Sequence, residues 1–308
     1  MDPARQTLAQ HGKSFWFASR FMERHDTDDA ARLYMACREL DDLADQELPD
    51  PQQNERARDR LMTIRREIQA RRGHDPLSLN LLDLSTRRGV DLEAATALID
   101  ALIRDVDRPA TVATEAELLD YCYGVAGTVG VMMCAVIGAR PEASAHAIDL
   151  GMAMQMTNIA RDVLEDAGQG RRYLPGEWLE QRSATRLAAT RQEDHAAVAA
   201  AVERLLHLSE AYYCSAADGF NYIPRRNRRA IRVAAEVYRG IGRRLARSGH
   251  AWHQGRVHVP LGGKLWLATR TLGGQGDIRA PGRARHDPEL HRHIAHRPGA
   301  DAGVREMP

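Results

Sequence analysis

Apolar residues recur at three- and four-residue spacing along most of this chain, and no alternating apolar–polar run marks a strand. The periodicity predicts a helical pattern over residues 4–22, broken at His11-Gly12-Lys13-Ser14, where Ser14 is placed to cap the next turn. Helices are then expected at 26–46, 52–71, 76–87 and 92–106. An apolar segment over 115–137 follows, then a helix over 143–165 that stops at Gly168-Gln169-Gly170. Segments 175–182 and 184–189 read as short helices, and 193–218, 226–247 and 261–272 complete an all-α set. Residues 1–272 form one domain in this reading. Beyond Gly273 apolar residues almost vanish, so 273–308 are expected to be a disordered tail.

Two of these helices break the amphipathic rule. Met154, Met156, Ala160, Val163 and Leu164 ask for burial on most sides of one helix, yet Gln155, Asn158, Asp162 and Asp166 share a narrow face of it. Polar groups striped along a buried helix need a ligand, a metal or a filled cavity, because burial without a partner costs ~2–7 kcal/mol per group. The helix at 26–46 repeats the pattern, with Tyr34, Arg38, Asp41 and Asp45 on one face.

Composition narrows the classes. Over 308 residues the formal net charge is +1, which argues against an overall field aimed at nucleic acid. Cys37, Cys122, Cys134 and Cys214 make no metal-type spacing and read as small buried hydrophobes in a reducing compartment. No basic-then-apolar leader opens the chain, and the apolar run 125–139 falls short of the ~20 residues of a spanning helix. A cytoplasmic protein is expected, with transient membrane contact through the basic run 225–229.

Asp41 and Asp45 are one helical turn apart, as are Asp162 and Asp166, and carboxylates so placed repel unless a cation intervenes. Mg²⁺ takes one or two carboxylates together with waters and phosphate oxygens. Two such stripes facing one cavity suit a Mg²⁺ cluster gripping a diphosphate, with Arg38 and Lys13 adding direct contacts. No His or Cys joins the stripes, which argues against zinc there. A Glu-x-x-His pair, a glycine-rich phosphate loop and a dinucleotide fingerprint are also missing. Gly124, Gly127 and Gly130 leave two readings open, close helix packing or room for a ligand beside the backbone.

The stretches His11–Phe15, Tyr34–Asp45, Tyr121–Gly130, Gln155–Asp166 with Arg171–Pro175, and Tyr222–Pro224 before a helix containing Tyr238 occur in an order that resembles the phytoene and squalene synthases. The resemblance covers about residues 10–265 and implies the all-α isoprenoid-synthase fold around a central cavity. It implies that Asp41, Asp45, Asn158, Asp162 and Asp166 bind Mg²⁺, with Mn²⁺ able to substitute, and that Gln155 lines the same site. Arg38, Lys13, His11 and Ser14 would hold diphosphate, and Tyr34, Tyr121, Tyr173, Tyr238, Arg161 and Arg256 are matched around them. Arg161 lies off the polar stripe on a helical wheel.

The implied reaction joins two isoprenyl diphosphates head to head through a cyclopropyl intermediate and releases diphosphate. Phe15, Ser19, Val125 and Ala126 are expected along the prenyl chains. Small Ser19, Ala18 and the three glycines leave room for C20 geranylgeranyl chains, giving C40 phytoene for carotenoid biosynthesis without NADPH. The alternative is C15 farnesyl diphosphate, giving presqualene diphosphate, dehydrosqualene or squalene. A non-catalytic relative acting in assembly should have lost acids from one stripe, whereas all four are present.

Overall fold

The computed structural model, which describes residues 2–44, 51–107, 111–274 and 286–301, turns the periodic segments into helices close to the predicted bounds. They are α1 (Pro3–His11), α2 (Lys13–Ser19), α3 (Arg24–Ala44), α4 (Pro51–Gln69), α5 (Pro76–Arg88), α6 (Leu92–Asp107) and α7 (Glu115–Cys122). A π-helical turn, Tyr123–Gly127, leads into α8 (Thr128–Val136) and α9 (Ser144–Gly168). Then come α10 (Ala184–Ala188), α11 (Gln192–Gly219), α12 (Arg225–Arg247) and α13 (Leu261–Leu272). Among the described residues there is no strand, only a single bridge between Thr111 and Arg172. Residues 175–182 hold one 3₁₀ turn, Gly176–Trp178, rather than the helix expected there.

Helix α9 is the centre of the packing and touches α7, α8, α10, α11 and α12. Met152, Met156, Ile159, Ala160 and Val163 are buried in the core, as their spacing requires. Gly170 takes φ 77°, a left-handed conformation that suits glycine, and the amides of Gln169, Gly170 and Arg171 close onto the last carbonyls of α9. At the other end of the fold the buried acids Asp26 and Asp29 of α3 accept from Arg87 and Arg88, which fixes α5 against α3.

Three further expectations need correction. Gly12, not Ser14, holds the position before α2, and Ser14 is already within the helix. Cys214 is exposed, while Cys122 and Cys134 are buried. In the basic run 225–229, Arg225, Arg226 and Arg229 are exposed, Arg226 also pairing with Glu23, while Asn227 is buried against Asp26 and the Ile137 carbonyl and Arg228 donates to the Ile223 carbonyl. The tail expectation fails for residues 286–301. Ile294 and Ala300 are buried, and the hydroxyls of Tyr123 and Tyr212 donate to the Pro298 and Leu290 carbonyls at 3.0 and 2.9 Å. Polar anchors hold this segment, and a composition rule built on apolar content does not register them.

Buried Asp194 at the start of α11 accepts from Arg186 and Arg182, which hold its pKa down to about 2. A carboxyl depressed in the folded state contributes stability that is present above the unfolded value of ~4 and lost as the pH falls through the folded value. The unfolding midpoint of Asp194→Asn should therefore depend less on pH between about 4 and 2 than that of the parent protein, as denaturant titrations across that window would read.

Candidate active site

The polar face of α9 stays half-buried at Gln155, Asn158, Asp162 and Asp166 while the apolar positions between them are closed off. Asp162 is the most heavily bonded. Arg161 donates to it at 2.7 and 2.5 Å, and Arg256 from the loop before α13 donates at 2.8 and 3.0 Å. Arg161 thus joins the stripe despite its wheel position, because its long side chain folds back along the helix. Burial works against its charge, but the Asp162 carboxylate outweighs this and holds its pKa above the ordinary value. Arg256 is 54% exposed at its side chain and also reaches Glu165 at 3.2 Å.

On α3, Arg38 lies between Asp41 at 3.4 Å and Asp42 at 2.5 Å. Asp45 lies outside the described residues. Four tyrosines join the two stripes. Tyr121, at the end of α7, stacks on Tyr173 with ring centroids 4.7 Å apart, and Phe15 of α2 sits 6.2 Å from Tyr34 and 5.2 Å from Tyr238. Burial raises the Tyr34 phenol to about 12, with Tyr238, Asp41 and Asp42 adding to it and Arg38 opposing. Burial likewise raises Tyr121, where Tyr173 and Asp41 add, and Tyr173, where Asp166 adds. Tyr238 is raised by burial and by Asp162, against Arg161 and Arg256. The charge of Asp41 acts on Tyr34 and Tyr121, that of Asp162 on Tyr238 and that of Asp166 on Tyr173, so carboxylates of both stripes act on this buried tyrosine set.

Lys13 and His11 are exposed where α1 meets α2, and Ser14 is half-buried beside them. Lys264 of α13 has its pKa lowered by burial and then by the charge of Lys13. Sequence reading missed Lys264, because a lone lysine in a short helix gives no signal until the fold sets it beside another cation. Ser19 is buried, and its hydroxyl donates to the Trp16 carbonyl at 2.9 Å. Val125 and Ala126 fall in the π-helical turn, a departure from α geometry that recurs at functional sites. The glycines near it answer the packing question. A Cβ at Gly124 would stand 2.7 Å from Ala101, and one at Gly130 2.2 Å from the Ala147 carbonyl, so these positions let helices approach and leave no space for a ligand.

A divalent cation fits the donor set. The acids and amides of the stripes offer only oxygen ligands, as a hard cation prefers. Asn158 Oδ1 is buried and accepts no hydrogen bond, with its amide turned to Gln155 at 3.3 Å. This unsatisfied acceptor lies one helical turn from Asp162 and has a lone pair left for a ligand.

Helices arranged in this way form the isoprenoid-synthase fold. Over 88% of this chain and 94% of the other, the structure superposes on a dehydrosqualene synthase crystal structure with a TM-score of 0.75 at 24% identity. The squalene/phytoene synthase family model matches residues 8–262, and the chain belongs to that family of divalent-metal-dependent prenyltransferases. It is 35% identical over 275 residues to a phytoene synthase of Pseudescherichia vulneris, covering 86% of this chain and 88% of the relative. A 15-cis-phytoene synthase of Pantoea ananas is 34% identical, with 82% and 85% covered. A presqualene diphosphate synthase of Rhodopseudomonas palustris is 34% identical, with 86% and 94% covered.

Proposed function

We propose that the protein couples two geranylgeranyl diphosphates head to head through a cyclopropyl diphosphate to phytoene, releasing diphosphate. The observation that supports this reading is that the acids of both stripes, Asp41 on α3 and Asp162 and Asp166 on α9, act on one set of buried tyrosines, in a chain 34–35% identical to phytoene synthases. Asp41, Asp45, Asn158, Asp162 and Asp166 would hold Mg²⁺, with Mn²⁺ able to substitute, and the ion supplies charge neutralisation for the departing diphosphate. Arg38, Lys13 and Lys264 grip its oxygens, His11 and Ser14 add hydrogen bonds, and half-exposed Arg256 is able to swing from Asp162 onto the phosphate. Gln155 orients Asn158, and Arg161 holds the Asp162 carboxylate in place.

The rings of Phe15, Tyr34, Tyr121, Tyr173 and Tyr238 present faces that stabilise an allylic cation and exclude water. Burial raises the phenols of the four tyrosines above their ordinary value. The departing diphosphate and the tyrosine hydroxyls are the two candidate acceptors for the proton lost on closing the cyclopropane. Val125, Ala126 and Ser19 border the prenyl chains in this reading.

Incubation with Mg²⁺ and either C15 or C20 diphosphate, with and without NADPH, tests the proposal by product mass. A C40 hydrocarbon from the C20 substrate without NADPH is expected. Coupling of C15 alone would install the second reading, which the similarity to a presqualene diphosphate synthase favours. No coupling of either would leave a binding or assembly role. Ser19→Phe should move the product from C40 toward C30, and an unchanged C40 yield would remove Ser19 from the chain-length wall.

The same reading adds α13 to the run 225–229 as a surface for transient membrane contact. Leu261, Leu265 and Trp266 are 66%, 52% and 56% exposed, and the Arg270 guanidinium lies 4.6 Å over the Trp266 ring. Lys264 ties this helix to the diphosphate end of the site, where an apolar substrate would leave a bilayer. Leu265→Glu with Trp266→Glu should weaken sedimentation with anionic vesicles by roughly 10-fold or more and leave turnover of detergent-dispersed substrate unchanged.

A further inference from the structure

Asp149 lies on α9 ahead of the polar stripe, its side chain fully buried and unused by the chemistry above. Two histidines of the C-terminal segment converge on it. His286 Nε2 is 2.9 Å from Oδ2 and His291 Nε2 is 2.8 Å from Oδ1, with the side chains 3% and 4% exposed. One ligand atom from each of the three residues lies within 4.8 Å of the others.

The tautomer of His291 makes this cluster more than an ion pair. Its Nδ1 lies 3.1 Å from the Ala300 carbonyl, which only accepts, so Nδ1 carries the hydrogen. Nε2 is then either a second N–H, making a buried imidazolium, or a bare lone pair facing a carboxylate oxygen. The second arrangement is repulsive unless a cation lies between them. A backbone carbonyl behind Nδ1 is the outer contact that orients a metal-ligating histidine. Asp149 has its own outer contact, the Ser215 hydroxyl at 2.5 Å. His286 Nδ1 is buried without a partner, so its ring is not held by hydrogen bonds at both ends.

The spacing agrees. His286-Asp-Pro-Glu-Leu-His291 is His-x₄-His, within the range used by zinc sites, and two imidazoles with one carboxylate is a nitrogen-rich set that Zn²⁺ favours over Mg²⁺. We propose that Asp149, His286 and His291 bind one Zn²⁺-class ion that staples the C-terminal segment to α9. The staple is separate from the all-oxygen diphosphate site and does not depend on which prenyl chain is coupled. Each histidine need move from the carboxylate by only about half an ångström, since ligand atoms ~2.0–2.1 Å from a tetrahedral ion stand ~3.3–3.4 Å apart, against 2.9 and 2.8 Å here. The ion would act with the Tyr123 and Tyr212 hydroxyls, which already hold the same segment by its carbonyls.

The test uses the full chain without an affinity tag, titrated with Zn²⁺ and separately with Co²⁺ in saturating Mg²⁺. One tightly held Zn²⁺ per chain is expected, and Co²⁺ should give the intense visible bands of a low-coordinate nitrogen-bearing site. His286→Gln with His291→Gln should weaken uptake by about 100-fold or more and abolish those bands, with far-ultraviolet circular dichroism retained. Absence of the Co²⁺ bands from the unsubstituted protein overturns the proposal whether or not the variants fold. Equal zinc uptake by the double variant overturns it as well, and a proton then holds His291 to Asp149.

Discussion

Asp162→Asn should slow prenyl coupling by about 10²–10³-fold or more at saturating substrate while leaving the helical content unchanged. The substitution keeps volume and removes one charge from the position where the stripe is most concentrated. Asp162 is 13% exposed and pairs with both Arg161 and Arg256, so the amide leaves Arg161 without its carboxylate and Arg256 with Glu165 alone, beside an oxygen site that needs net negative charge to draw a dication. A second readout separates this from simple loss of an ion pair. The Mg²⁺ concentration for half-maximal rate should rise, whereas Arg256→Lys, which keeps a cation near Asp162, should change the substrate KM more than the Mg²⁺ requirement. Near-normal coupling by Asp162→Asn would take Asp162 out of the metal site.

That residue was legible because its neighbours contradict it. Acids on a helix otherwise surrounded by Met154, Met156 and Val163 carry information that acids on a solvated helix do not. Helix bounds were legible for the same reason, and α13 matches its predicted range over 261–272. Contacts made across the chain were hidden. Arg161 is matched to the site only by family resemblance and falls off the polar stripe, because a wheel shows where a Cβ points and not where a long guanidinium ends. Lys264 needed α13 to fold beside α2 before it meant anything. Residues 286–301 read as a tail because their attachment is polar and distant in sequence, through Asp149, Tyr123 and Tyr212. The glycines of the 124–130 stretch are the sharpest case, since spacing alone cannot distinguish helix contact from ligand space.

Gly130→Ala and Gly151→Ala turn that distinction into a measurable cost. A Cβ on Gly130 would stand 2.2 Å from the Ala147 carbonyl oxygen, and one on Gly151 2.3 Å from the Ala126 carbonyl oxygen. Both clashes are with backbone, so no rotamer change relieves them, and α8 and the π-helical turn must separate from α9. Overpacking of this kind costs about 1–3 kcal/mol and sometimes more, against the ~1 kcal/mol that alanine gains over glycine in helix propensity. Each variant should be net destabilised in urea titrations. Gly262→Ala, in α13 with nothing within 4 Å of its new methyl group, should be neutral or slightly stabilised. The double variant should cost less than the sum of the two, because one separation of the shared seam relieves both contacts. Activity should fall further than stability accounts for, since Ala126 lies in the turn proposed to border the prenyl chains and α9 carries Asn158, Asp162 and Asp166 past it. Additive costs with full activity would show that each methyl group is accommodated locally and that the seam does not set the position of the stripe.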